Sequence, residues 1–246
     1  MATTYETGHV KNMNNLENLI KICTEFGSTY NPAKTAIQIA NLNQLLTDAK
    51  TEINNVNQKL INYNTTIHSR QLKFENLRKI ATRIIYALEL TDATPMTIEN
   101  AKSLKKKIFG VRIGKVTPPP PPAEGSTEPE KKTNSTAQTS FGQLVDHFSK
   151  MIILLQSEPT YNPNENDLKI AALSSYLDEL TLANTESLAA EAVLRTARLR
   201  RNELFYTNPN CLYSCAMDIK KYIRSLYGVS STEFGHVSGI SFSKKH

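Results

Sequence analysis

The sequence predicts an all-α protein: two tandem helical bundles of about four helices each, joined by a proline-rich linker. Three observations carry that expectation. Apolar residues recur at alternating three- and four-residue spacings from Ile39 to Leu88, which is the seam of a buried helix face. Thr29-Tyr30-Asn31-Pro32 returns as Thr160-Tyr161-Asn162-Pro163, 131 positions later. Between the two lies a run of five prolines, Pro118 to Pro122, followed by a polar tract. A proline run adopts extended polyproline II, and such a tract cannot bury enough surface to fold.

The elements follow in chain order. An apolar-rich helix spans 13–26. Asn31-Pro32 then reads as an N-cap with proline at the first helical position, where its missing N–H costs nothing. The helix that follows carries Ile39, Leu42, Leu46, Ala49, Ile53, Val56, Leu60 and Tyr63. The same period continues through Ile67, Arg70, Phe74, Leu77, Ala81, Ile84 and Leu88. Either one long helix or a helical hairpin fits it. A hairpin turning near Asn62-Tyr63-Asn64-Thr65-Thr66 is preferred, because the two seams then bury each other and these residues favour caps over helix interiors. Thr94-Pro95 starts a further helix, which closes at Gly110.

The second copy repeats this plan. A helix over 141–156 precedes the second Thr-Tyr-Asn-Pro, and Pro163 opens the next. Asn208-Pro209-Asn210 ends it. A last helix covers about 210–227, and the tail from 229 to 246 is expected to be irregular. Eight of the eighteen positions aligned from Thr29 to Leu46 are identical to their counterparts. KSLKKKIFG at 102–110 answers to IKKYIRSLYG at 219–228, a basic helix closing on aromatic-glycine in each copy. The expected domains are a basic bundle over 1–115, a linker over 116–140, a second bundle over 141–228 and the tail.

Composition bounds the function. The chain has 246 residues, 39% apolar and 21% charged, which excludes a wholly disordered protein. Three cysteines exclude a disulfide scaffold. The net charge of +6 is uneven: residues 1–115 hold 16 Lys/Arg against 9 Asp/Glu, and residues 141–246 hold 11 of each. The N-terminus lacks a basic region followed by an apolar one, so no secretory signal is expected. The longest aliphatic run, Met151 to Leu155, is far short of a membrane span. The cytoplasm is the expected compartment.

No nucleotide, hydrolase or zinc-protease motif occurs in the sequence. Cys211 and Cys215 share a helix face and read as core thiols, with no further soft ligands nearby in the chain. His9, His68, His147, His236 and His246 form no metal or triad pattern, and Asp146-His147 point to different sides of a helix. Asp178-Glu179 and Glu186/Glu191 read as solvated helix faces. Neither catalytic residues nor cofactor-binding nor metal residues are expected, and the protein is not expected to be an enzyme. Two basic clusters remain. Lys102, Lys105 and Lys106 share one face near a helix C-terminus, where cations suit the helix dipole. Arg198 and Arg201 share another. These five residues are the candidate contacts for an anion or a partner.

The second half resembles a group of all-helical Bacteroidetes proteins without assigned activity. The residues that carry the resemblance are YNPNENDLKIAAL (161–173), ARLRRNELFY (197–206), IKKYIRSLYG (219–228) and the tail VSSTEFGHVSGISF (229–242). The resemblance implies a helical fold and no catalytic residue. The expected function is a non-enzymatic protein-interaction or structural role, by a protein partner or by self-association. The alternative is electrostatic binding of nucleic acid or an anionic membrane by the basic N-terminal bundle.

Overall fold

A computed structural model describes residues 4–111 and 139–244. Every regular element among them is a helix. The α-helices are α1 (Thr4–Glu25), α2 (Ile39–Glu75), α3 (Leu77–Glu89), α4 (Pro95–Phe109), α5 (Phe141–Gln156), α6 (Ile170–Asn202), α7 (Leu212–Tyr227) and α8 (Thr232–Ser238), with short 3-10 and π turns between some of them. The proline run and nearly all of the expected linker lie outside the described residues.

The chain forms two compact units: Met1–Asn64 with Ala189–His246, and Thr65–Leu188. This division departs from the sequential bundles 1–115 and 141–228. The boundaries fall inside α2 and inside α6. The physical reason lies in the seam of α2, which does not fold back on itself. Each stretch of it is buried by segments from the other half of the chain.

In the first unit, Leu16, Leu19 and Cys23 of α1 and Leu42 of α2 share one core with Phe205, Leu212, Cys215, Ile219 and Ile223. Tyr30 meets Tyr222 edge-on at 5.3 Å between ring centres. Further along α2, Val56 packs on Leu194 and Ala197, with Leu60 and Tyr63 half-buried beside them. In the second unit, Phe74, Leu77, Ile84 and Leu88 share a core with Phe148, Met151, Leu155, Leu173 and Leu180. Arg70 stacks over the Phe141 ring at 4.2 Å and donates to Asn184. Tyr176 donates to the Lys73 carbonyl at 2.6 Å.

The preferred hairpin is corrected: α2 runs unbroken through residues 62–66. Asn and Thr cost a helix only tenths of a kcal/mol each, about 0.7 at most. A seam buried on both sides of Asn64 outweighs that.

The cap expected at each Asn-Pro is also corrected. Neither proline opens a helix. Lys34 and Glu165 are extended, a single 3-10 turn follows at Thr35–Ile37 and at Asn166–Leu168, and the long helices begin only at Ile39 and Ile170. The preceding tyrosine holds each loop. Tyr30 Oη donates to the Ile37 carbonyl at 2.7 Å, and Tyr161 Oη to the Leu168 carbonyl at 3.0 Å. Both tyrosines are buried, so the bond satisfies a hydroxyl that would otherwise be stranded.

Other local signals act as the residues suggest. Thr94 caps α4 through Thr97 N–H with Pro95 at the first turn. Ser140 and Gln143 form a reciprocal capping box at α5. The tail is a further correction. Residues 232–238 form α8, capped by Ser231, because Val237 finds a fully buried place in the first unit's core.

His147 on α5 is 3% exposed, and among the described residues neither ring nitrogen has a hydrogen-bond partner. Asp146 Oδ2 is 3.6 Å from Nδ1. Burial holds the imidazole below its ordinary pKa; Asp146 opposes this, and Lys107 and Lys150 reinforce it. The unfolded chain therefore takes up a proton near pH 6.5 while the folded one does not. This part of the stability is complete above about pH 6.5 and is lost as pH falls from there toward the depressed folded value. Urea melts of the wild type and His147→Leu should diverge as pH drops from about 7 to 5, the variant losing less. Parallel curves would contradict this.

Candidate functional site

The helices α3 and α4 of the second unit are joined by a short turn. Thr91 Oγ1 donates to the Leu88 carbonyl at 2.7 Å and accepts from Ala93 N–H at 3.2 Å. α4 ends where Gly110 takes a left-handed conformation, φ 73°. Gly110 N–H donates to the Lys107 carbonyl and Val111 N–H to the Lys106 carbonyl, the paired closure of a Schellman motif. A Cβ at Gly110 would come within 2.7 Å of Thr139 Cγ2. Glycine is thus required on two counts, and this closure sets Val111 against the end of α4.

Between these helices lies an open cleft of about 410 Å³. Its walls include Tyr86 and Glu89 from α3, Lys102, Lys105 and Phe109 from α4, and Val111. Lys106 lines it too. Lys105 Nζ lies 5.9 Å from the Tyr86 ring centre and 5.5 Å from that of Phe109. Arg78 approaches Phe109 from α3 at 5.7 Å. Lys102 pairs with Glu89 at 2.9 Å and with Glu99 at 3.4 Å. The Glu89 hydrogen bond leads in raising its pKa above the lysine norm, so it stays charged. Tyr86 is 62% exposed and Val111 55%. The cleft thus combines aromatic and aliphatic surface with three ammonium groups and one carboxylate. Such a surface can hold an acidic group against an apolar one.

Three of the five candidate residues, Lys102, Lys105 and Lys106, therefore meet at one place. The other two do not join them. Arg198 is half-buried and Arg201 is 3% exposed in the first unit. Arg201 Nη2 reaches Asn202 Oδ1 at 3.4 Å, and that same oxygen meets His9 Nε2 at 3.2 Å. The helix leaves the α form just beyond, in a π-helical stretch at Glu203–Thr207 that drives Phe205 into the core. Arg201 is turned inward with it, so Arg201 as a candidate contact is corrected to a buried position.

Sequence reasoning missed Tyr86, Glu89 and Val111. Phe109 was visible as the aromatic four residues after Lys105 in the closing basic helix. Tyr86 left a trace as an aromatic off the buried seam.

The thiols sit in the first unit. Cys23 and Cys215 share its core, although they are far apart in the chain. Burial raises the Cys23 thiol to about 12 and the Cys215 thiol to about 11, so neither is a thiolate near neutrality. Cys211 caps α7 by accepting Ser214 N–H at 3.4 Å. Among the described residues no group of three His, Cys, Asp or Glu could hold a metal ion, and no helix is long and apolar enough to cross a membrane.

Comparison with protein-family models, with curated proteins and with solved structures finds no match.

Proposed function

We propose that this is a non-enzymatic docking protein whose α3–α4 cleft takes an acidic, apolar-flanked segment of a protein partner. The observation that carries the reading is the cleft itself: Lys105 and Lys106 beside the exposed Tyr86 ring and Val111. Lysines over aromatic faces favour a carboxylate flanked by an apolar side chain. A lysine face alone would fit any polyanion. The Glu89 carboxylate works against a continuous phosphate backbone, and the apolar floor favours a peptide.

We further read the chain as two copies of one ancestral segment joined by a linker. The two Tyr-to-carbonyl bonds, each spanning seven residues and ending on the last residue of a 3-10 turn ahead of a long helix, support that reading.

The test compares three probes by fluorescence anisotropy: a Glu/Phe-alternating peptide, a thymidine oligonucleotide and vesicles rich in phosphatidylserine. The peptide should bind the full chain most tightly. Lys105→Glu with Lys106→Glu should weaken it at least about tenfold, with part of the affinity surviving moderate salt. Tighter binding of oligonucleotide or vesicle, lost steeply with salt, would overturn the reading and favour the polyanion alternative.

A further inference from the structure

The C-terminal arm of the chain, residues 232–244, is held against the first unit by side chains that read its backbone. Asn12 is fully buried. Its Nδ2 donates to the Ser243 carbonyl at 2.8 Å, and its Oδ1 accepts Ser243 N–H at 3.0 Å. One carboxamide thus offers Ser243 the donor and acceptor that a neighbouring strand would offer. Asn15 donates to the Ser241 carbonyl at 2.6 Å. Lys220 of α7 donates to the carbonyls of Ser238 and Ile240 and lies 5.8 Å from the Phe242 ring centre. Val237 is fully buried, and Phe234, Ile240 and Phe242 pack beside it.

These contacts run to α1 and α7; the tether's Ser231 touches the arm only by capping α8 through Phe234 N–H and Gly235 N–H, a cap that travels with the arm. That tether is short: Gly228 at φ 90°, the 60% exposed Val229, then Ser230 and Ser231. An identical arm arriving from elsewhere would satisfy the groove contact for contact.

We propose that the groove of α1 and α7 also accepts the arm of a second copy, the two copies exchanging residues 232–244 across the Gly228–Ser231 tether. A tethered arm has an effective concentration in the millimolar range. The protein's own arm therefore prevails in dilute solution, and exchange sets in where copies are crowded or the arm is loosened. This inference is independent of the cleft.

Complementation between two full-length variants tests it. Phe242→Ala with Val237→Ala weakens the arm and leaves the groove intact. Asn12→Leu damages the groove and leaves the arm intact. Each alone should be a 27.5 kDa monomer by light scattering, and their mixture should form a 1:1 dimer. A mixture of folded variants that stays monomeric would overturn the proposal.

Should either variant lose its helical signal, Ser243→Pro removes the N–H and the hydroxyl that Asn12 Oδ1 accepts from and leaves the groove residues unchanged. A labelled peptide of residues 229–246 should bind that chain at least about tenfold more tightly than it binds the wild type. Equal or absent binding would likewise overturn the exchange.

Discussion

Residues 1–115 and residues 139–246, produced as separate chains, should each lack a cooperative thermal transition. The first piece holds Leu16, Leu19, Cys23 and Leu42 but lacks Phe205, Leu212, Ile219 and Ile223, which complete that core. It also holds Phe74, Leu77, Ile84 and Leu88 without Phe148, Met151, Leu155 and Leu173. Each large apolar side chain left in water forgoes about 1.5–3 kcal/mol. A domain's whole stability is about 5–15 kcal/mol, so losing four such partners from each core removes the margin. Circular dichroism should show residual helix that melts gradually. A sharp transition in either piece alone would mean that the cores can close within one half.

Thr65→Pro should destabilise the protein by about 3 kcal/mol or more. Thr65 is exposed and lies within α2, so proline there tests the backbone of the helix and not the core. The loss comes from one helical hydrogen bond and from the clash of the proline ring with the preceding turn. Were residues 62–66 a hairpin turn, proline would be tolerated to within about 0.5 kcal/mol, as at other surface positions. Thr65→Ala is the control: it removes the same side chain without the proline ring, so the further loss in Thr65→Pro reports the backbone alone. Urea unfolding of the three proteins separates the two cases.

Much of the local structure was legible in the residues. Of the seam, Leu42, Leu46, Ala49, Val56, Phe74, Leu77, Ala81, Ile84 and Leu88 are buried and the positions between them, such as Ile53, Leu60 and Ile67, half-buried, because a period of three and four marks a helix face whatever it packs on. Thr94-Pro95 and Gly110 bound α4 as their chemistry requires. What the seam cannot specify is its partner. Val56 packs on Leu194, and Phe74 joins a core with Phe148, and nothing local to either stretch encodes that pairing. The same limit hid the shared core of Cys23 and Cys215.

The Asn-Pro loops misled for a different reason. Cap chemistry is a property of two residues, while a buried tyrosine hydroxyl bonded to a carbonyl seven residues on decides where each helix starts. In the candidate site, the lysine face followed from i, i+3 and i+4 spacing. Its aromatic floor did not, because Tyr86 sits on another helix.

The most direct test of the two-unit arrangement is to mix the pieces 1–115 and 139–246 in equal amounts. The mixture should form a 1:1 complex by light scattering and regain a single cooperative melt by near-ultraviolet circular dichroism. Both cores would then be rebuilt from their two contributing halves. Pieces that stay apart, or that each melt cooperatively alone, would contradict the division of the chain into Met1–Asn64 with Ala189–His246 and Thr65–Leu188.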